Sequence, residues 1–302
     1  MSLPHIAVVL GGANGLLGRA VAEALARAGV KVHAVSSKDV DYFDADAWDD
    51  FLDTVEPDDE SFDYADLCLV NAVAHTQVDK AEDEQEEAFK LNAMLPALLG
   101  VVAEERGHSL VHYSTDFVFD GAKGAPYLPG DATNPLSVYG ASKLAGEESL
   151  QGLDIPRLLI LRTAWLFGPG KMNFVRRMLD LGAERAELSV VADQFGSPTY
   201  TPDLAELTVA LLKNGATGTL NAANSGQASW HELASAALEL AGLPCKVKPI
   251  PTSCYPTKAK RPPYSVLDLA DTAKAAGYTP RHWREALAEY VALESATKTS
   301  NP

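Results

Sequence analysis

Tyr139 and Lys143 stand four residues apart in Tyr139-Gly140-Ala141-Ser142-Lys143, so on a helix they share one face. A lysine ammonium beside a phenol favours the phenolate and draws a tyrosine down from its ordinary value of about 10. The pair therefore predicts a proton donor, Tyr139, for a ketone that becomes an alcohol. A third hydroxyl, Thr115, lies at the end of Val111-His112-Tyr113-Ser114-Thr115-Asp116. If that run is a strand of a doubly wound sheet, its carboxyl end lines a ligand crevice, where Thr115 donates to the substrate carbonyl or to Tyr139. Each feature alone has a plainer explanation: an exposed helix pair worth ~0.2–0.5 kcal/mol, or a strand-end cap. Their order along the chain, downstream of a glycine-rich turn, makes them one constellation.

That turn is Gly12-Ala13-Asn14-Gly15-Leu16-Leu17-Gly18, between the apolar run Ile6–Leu10 and a helical pattern. Glycine would let a pyrophosphate reach the backbone, and a helix start supplies free N–H groups and a positive dipole end. The spacing is Gly-x-x-Gly-x-x-Gly, not Gly-x-Gly-x-x-Gly. A tight strand–helix turn is the plainer alternative, but a position after the first strand of a βαβ unit favours a dinucleotide. The second apolar run ends in Val35-Ser36-Ser37-Lys38-Asp39. Ser36, Ser37 and Lys38 suit a 2′-phosphate and point to NADPH; Asp39 suits a free 2′-hydroxyl and keeps NADH open. A polar turn with an exposed lysine remains the alternative.

These groups need a frame. Ile6–Leu10, Val30–Val35, Leu67–Val70, Leu110–Ser114 and Leu158–Arg162 read as strands, separated by helical patterns such as Leu17, Val21, Leu25 and Ala28 on one face. The fold class is therefore α/β, a Rossmann-like doubly wound parallel sheet covered on both faces. Residues 1–168 form the expected dinucleotide-binding domain, with a returning strand near 218–228; residues 169–292 form most of a smaller substrate-binding α/β domain, and 293–302 a flexible tail. The later helices are expected at Asn173–Leu181, Asp203–Leu212, Trp230–Ala241 and Trp283–Ala292, with a short strand at Leu188–Val191. The prolines from Pro244 to Pro263 predict an ordered loop region, and the acidic run Glu56–Asp66 a solvated loop. At 47% hydrophobic residues the chain can bury a large core, and a formal charge of −16 argues against nucleic-acid or anionic-membrane partners. Three cysteines, without a Cys-x-x-Cys pair, point away from zinc and disulfides, and Cys68 sits in an apolar run as core. No apolar run reaches the ~18–20 residues of a membrane span, and the first residues do not read as a signal peptide. A cytoplasmic location is the expectation.

Several longer segments resemble the extended short-chain dehydrogenases/reductases, and within them the dTDP-4-dehydrorhamnose reductase family. They are Gly12–Gly18, 71–82, 113–121, 138–147, 162–165 and 193–199, with Arg261-Pro262, Ser265, Leu267-Asp268 and 283–287 further on; the likeness covers about residues 5–292. It implies reduction, by NADPH or NADH, of the C4 ketone of a nucleotide-linked deoxysugar, dTDP-4-dehydrorhamnose. It assigns Tyr139 as proton donor, assisted by Lys143 and tuned by Thr115. It places Gly12, Gly15, Leu16, Leu17, Gly18, Ala74, His75 and Thr76 at the cofactor, and Asp41 and Tyr42 near its adenine. Val78, Asp79, Thr115, Asp116 and Trp165 would meet the sugar nucleotide. Thr76 and Asp79 also suit helix capping, and Trp165 also suits core; as a site residue, Trp165 would offer an aromatic platform to the sugar.

Some relatives carry a glutamate just after the last loop glycine and another after the Pro-Thr motif, which hold a magnesium at a dimer interface. Here Arg19 and Ala20 follow Gly18, and Tyr200-Thr201-Pro202-Asp203 follows Thr199, so no metal site is expected and a homodimer is left open. Two other functions share the fold. A sugar-nucleotide 4,6-dehydratase, or an epimerase, is disfavoured; the dehydratase needs an acid/base pair where Asp116 is followed by Phe117. A regulatory subunit of the methionine adenosyltransferase β type would keep the cofactor loop without turnover, and the complete set Thr115, Tyr139, Lys143 favours an enzyme.

Overall fold

Strands rich in valine, leucine and isoleucine alternate with helices through the first half of the chain, and the computed structural model shows what that alternation builds. It describes residues 3–57 and 62–299, without the side chains of 297–299. In chain order the larger elements are β1 (Ile6–Leu10), α1 (Leu16–Arg27), β2 (Lys31–Val35), α2 (Ala45–Val55), β3 (Leu67–Asn71), α3 (Leu95–Arg106), β4 (Ser109–Thr115), α4 (Val138–Gln151) and β5 (Leu158–Thr163). They continue with α5 (Phe174–Glu184), β6 (Glu187–Val191), α6 (Thr201–Lys213), β7 (Gly218–Asn221), α7 (Trp230–Leu240), β8 (Lys246–Ile250) and α8 (Trp283–Thr299).

Six strands make one parallel sheet in the order β7-β5-β4-β3-β1-β2. β1, β3 and β4 are buried at every position, which is why they read as unbroken apolar runs and not as alternating ones. On one face Leu17, Val21 and Leu25 of α1 pack with Leu204, Leu207 and Leu211 of α6; on the other, Trp48, Leu52, Leu95, Leu99 and Leu150 cover the sheet. A third cluster, from α5, β6, α7 and α8, lies beside the sheet around Leu179, Leu188, Leu233, Leu238 and Trp283. Strand order reverses between β1 and β3, whose last residues Leu10 and Asn71 are paired, and a crevice opens beyond such a switch point. Among the described residues no helix is long and apolar enough to cross a membrane.

The expected strand near Thr219 joins the main sheet as β7, beside β5. Three expectations are corrected. The proline-rich stretch contains a strand: β8 pairs in parallel with β6, and Pro249 is tolerated because the pair is a two-stranded sheet with free edges. The last helix runs to Thr299 instead of giving way to a tail after Ala292, and Ser300–Pro302 lie outside the described residues. So does Asp58–Ser61 of the acidic run, whose end, Tyr64–Asp66, is a 3-10 turn. Ala28, read as the end of the α1 stripe, is an exposed C-cap. Cys68 is core, and burial pushes its thiol up to about 12.

Helix α4 carries the tyrosine and the lysine, and its placement is tightly specified. Ser137 caps it by accepting from Gly140 N–H at 3.2 Å. A Cβ on Gly140 would lie 2.2 Å from the Phe117 carbonyl oxygen, and one on Gly146 would lie 2.2 Å from that of Asn92. Both glycines are therefore contact points, where the helix backbone closes on its neighbours. Asn92, in the π-helical turn Lys90–Met94, completes the joint: its amide donates to Ser142 Oγ at 3.0 Å and to His75 O at 3.1 Å, and its Oδ1 accepts from His75 N–H at 2.8 Å. Gly146→Ala should overpack this joint and lower the free energy of unfolding by about 1–3 kcal/mol in a urea titration; an unchanged midpoint would show that the helix has slack there.

Candidate active site

A cleft of about 800 Å³ opens at the carboxyl ends of β1, β3, β4 and β5. Its wall takes Gly11, Asn14, Gly15, Leu16 and Leu17 from the β1–α1 turn and Ala72, Val73, Ala74, Thr76 and Val78 from beyond β3. Thr115 and Asp116 close β4, Tyr139 and Lys143 face in from α4, and Thr163, Trp165, Phe174, Trp230 and Arg261 form the far side. The topology thus brings together residues up to 250 positions apart, from Gly11 to Arg261.

The glycine turn is built for closure. Gly11 has φ +75° and its carbonyl accepts from Gly15 N–H at 2.7 Å. A Cβ on either Gly15 or Gly18 would sit 2.5 Å from that carbonyl oxygen, and one on Gly12 would sit 2.9 Å from Val9 O and 3.0 Å from the Ala34 side chain. The turn and its packing on β2 are by themselves enough to require glycine at positions 12 and 18, and neither residue is on the cleft wall. Gly11 and Asn14 are on the wall, although neither is among the expected contacts. Gly15, the N-cap of α1, has no side chain to cap with, and the first turn holds no acidic residue. The opening N–H groups of α1 thus face the cleft without a competing carboxylate, which suits a phosphate.

Tyr139 and Lys143 share the cleft, but they are not paired as the sequence implied. The Lys143 amine donates to the Tyr113 carbonyl at 2.6 Å and lies 3.1 Å from His112 Nε2. The Tyr139 phenol is pushed up to about 12: burial dominates, a hydrogen bond with Thr115 lowers it, and the Asp116 charge raises it. Lys143 is lowered to about 8 by burial, against the opposing charge of Glu147. The expected acidic phenol is thus replaced by one that keeps its proton, because desolvation outweighs a cation that points elsewhere. Asp116 is buried, with Oδ2 accepting from Ser265 at 2.5 Å and Oδ1 from Thr115 at 3.1 Å; burial raises its carboxyl to about 7.

Other expected residues lie elsewhere. Tyr42 is core: its hydroxyl donates to Val35 O at 3.1 Å and its ring stacks on Trp48. Asp41 accepts from Phe43 N–H at 3.0 Å, outside the cleft wall. Ser36 gives both its N–H and its hydroxyl to Asp39, each at 2.7 Å, and neither Ser36 nor Lys38 reaches the wall. His75 is buried behind the wall with Nε2 on Glu84 at 3.0 Å, and Asp79 holds Arg261 at 2.7 Å, so of these two it is the arginine that faces the cleft. Trp165 lines the cleft, but Trp230 stacks on it with ring centroids 3.5 Å apart and planes 6° apart. One ring face expected to meet the sugar is therefore already covered. Thr163 and Arg261 lie in segments that carry the resemblance but were given no role there, and Trp230 and Phe174 carry no local motif, so only the fold brings these four to the cleft. Among the described residues no group of histidine, cysteine or carboxylate side chains could hold a metal ion; Asp203 and Glu289 share the Arg281 guanidinium instead.

The sequence matches the RmlD substrate binding domain family over residues 6–295. It is 38% identical to the spore coat polysaccharide biosynthesis protein SpsK of Bacillus subtilis, covering 96% of this chain and 98% of that protein. It is also 38% identical to the dTDP-4-dehydrorhamnose reductase of Mycolicibacterium smegmatis, covering 98% of this chain and 88% of the relative. Among solved structures, the dTDP-4-dehydrorhamnose reductase of Bacillus anthracis in complex with NADP superimposes with a TM-score of 0.86 at 32% identity, over 96% of this chain and 99% of that one. With a family match over almost the whole sequence and full-length relatives above 30% identity, the chain belongs to the dTDP-4-dehydrorhamnose reductase family.

Proposed function

We propose that this protein is an NAD(P)H-dependent reductase of a ketone on a nucleotide-linked deoxysugar, and that its substrate is dTDP-4-dehydrorhamnose, reduced at C4 to dTDP-L-rhamnose. The observation that carries the reading is a shared cleft: an uncapped helix N-terminus suited to a pyrophosphate opens onto the same space as Thr115, Tyr139 and Lys143. The names of the relatives called dTDP-4-dehydrorhamnose reductase support both the reaction class and the sugar. In this reading residues 1–168 hold the dinucleotide, through Gly11, Asn14, Gly15 and the opening N–H groups of α1, while Trp165, Trp230 and Arg261 face the sugar nucleotide. The residues fit either dinucleotide.

When bound, the nicotinamide cofactor supplies the hydride that adds to the carbonyl carbon. The carbonyl electron pair then moves onto oxygen, and the Tyr139 phenol gives that oxygen its proton. A phenol held near 12 stays protonated across the neutral range, which is the form that reduction needs. Thr115 orients it by hydrogen bond, and Lys143, one helical turn away, is a nearby cation for the phenolate left behind. Below about pH 7 the buried Asp116 is a neutral acid able to donate to a sugar hydroxyl.

Tyr139→Phe should lower kcat for NADPH oxidation with dTDP-4-dehydrorhamnose by ~10²–10⁴-fold, the usual weight of a general acid, with little change in cofactor affinity. A variant at full rate would remove Tyr139 from the mechanism, and a wild type that binds NADPH yet reduces no keto sugar would favour a regulatory role. Asp116 gives a second test. Its folded value, about 7, lies above the ordinary ~3.9 of an unfolded aspartate, so the folded state binds the proton more tightly. That contribution is complete below about pH 4 and is lost as pH rises to about 7, by roughly 4 kcal/mol at most. Asp116→Asn cannot titrate, so its denaturation midpoint should fall less than that of wild type between pH 4 and 7. Parallel curves would show that Asp116 is ionised throughout.

A further inference from the structure

Behind Lys143 lies a chain of hydrogen bonds in which donors and acceptors can be assigned. Val73 N–H donates to Asn71 Oδ1 at 3.1 Å. A backbone N–H can only donate, so this bond fixes which end of the Asn71 amide is oxygen. Its NH₂ group then faces His112 Nδ1 at 3.2 Å. An amide NH₂ can also only donate, so Nδ1 must be the bare nitrogen. His112 is completely buried, and burial followed by the Lys143 charge holds it well below the usual imidazole range, so it is neutral. The one ring proton of a neutral imidazole with a bare Nδ1 sits on Nε2. Nε2 is the nitrogen 3.1 Å from the Lys143 amine. An ammonium has three donors and no acceptor, whereas a neutral amine has a lone pair that accepts this N–H while one of its own hydrogens goes to Tyr113 O.

We infer that His112, set in one tautomer by Asn71, is a positioning residue that presents an N–H and not a lone pair to Lys143, and so weakens the lysine's hold on its proton. The inference deepens the proposed reduction and rests on it only for the catalytic consequence. The other ionisable groups around the amine act as follows. Glu147, one turn further along α4, favours the ammonium but is itself neutralised by Arg162 of β5, at 2.6 Å. Tyr139, one turn back, keeps its proton, and Asp116 at the end of β4 acts on Tyr139. The lowered value of Lys143, about 8, agrees in direction with the geometry. The consequence is a lysine that gives up its proton more readily than a solvated one and takes it back when the charge of a bound phosphate or a nascent phenolate calls for it.

Two measurements test this, and the first needs no substrate. Long-range ¹H–¹⁵N spectra of ¹⁵N-histidine-labelled protein should show His112 protonated on Nε2 and bare on Nδ1 at neutral pH. In Asn71→Asp a carboxylate accepts from both Val73 N–H and Nδ1–H, so the tautomer should invert and turn a lone pair toward Lys143. The second measurement is the basic limb of kcat/KM, with the pH dependence of NADPH affinity beside it. Both should move up by about one pH unit or more in Asn71→Asp. His112→Phe, which removes the N–H, should move them the same way by less. A wild-type spectrum with the proton on Nδ1, or an imidazolium, overturns the inference, as do unchanged pH profiles in both folded variants. If the tautomer and the affinity profile behave as stated but no keto sugar is reduced, the relay stands and the reductase reading falls.

Discussion

Arg162 and Glu147 meet inside the protein, both almost fully buried, with the guanidinium Nε and terminal nitrogen on the two carboxylate oxygens at 3.0–3.1 and 2.6 Å. Ser114 donates to the same carboxylate, Arg162 also reaches Pro129 O at 2.8 Å, and its plane lies over the Phe119 ring. Taking two charges out of water costs several kcal/mol per ion, so such a pair is weak evidence for stability. What it provides is registry. Tyr139, Lys143 and Glu147 occupy successive turns of α4, so fixing Glu147 against β4 and β5 fixes which face of the helix looks into the cleft and how far along the sheet it sits. Removing either partner would leave a buried unpaired charge, at a cost of ~3–5 kcal/mol. Gly140 and Gly146 serve the same end by letting the helix backbone close on Phe117 and Asn92.

With the helix held there, burial governs the electrostatics of the site. The phenol rises, the lysine falls and the Asp116 carboxyl rises, all three in the direction of the neutral form. A water-filled site would instead have let the ammonium–phenolate attraction dominate, as the bare Tyr-x-x-x-Lys spacing implies. Burial therefore shifts all three groups toward their neutral forms, fully for the phenol at neutral pH and only partly for the carboxyl and the lysine. Proton positions are therefore set by hydrogen-bond direction more than by charge pairing, and for that reason a neutral histidine behind the lysine matters.

The main sheet was legible in the sequence because central parallel strands are apolar on both faces, and the glycine turn because it could follow only β1. Tyr139, Lys143 and Thr115 were legible because helical and strand periodicity put them at one edge. Tyr42 was misread for a physical reason. An aromatic with a polar tip looks the same whether it meets an adenine or, as here, gives its hydroxyl to a strand carbonyl and its ring to Trp48. At Ser36 the sequence does not disclose that the hydroxyl meets Asp39 locally, a bond that no spacing rule announces. β8 was hidden by Pro249, which would be excluded from a central strand but not from this two-stranded pair. Trp230 reaches the cleft from the third apolar layer and Arg261 from the segment after β8, where Asp79 holds it, and both placements depend on tertiary packing and not on local pattern.

That layer meets the sheet at Trp165, the one non-glycine among the described residues with a positive φ, +48°. A bulky residue in that region carries strain of order 1–3 kcal/mol and persists only where its surroundings over-determine it. They do so here. Trp230 from α7 stacks on the indole, and Trp230 Nε1 donates to Gln194 Oε1 at 3.2 Å. Gly196 completes the fit, since a Cβ there would lie 2.5 Å from the Trp165 ring. The chain leaving β5 is thus turned sharply at the mouth of the cleft, and the strained residue ties α7 and the Gln194–Gly196 segment to the strand end beside Thr115. A residue that merely filled space would have no need of an unfavourable backbone angle. The strain is explained if the indole registers the third apolar layer against the end of β4, so that Trp230 on one and Thr115 on the other face the same cleft.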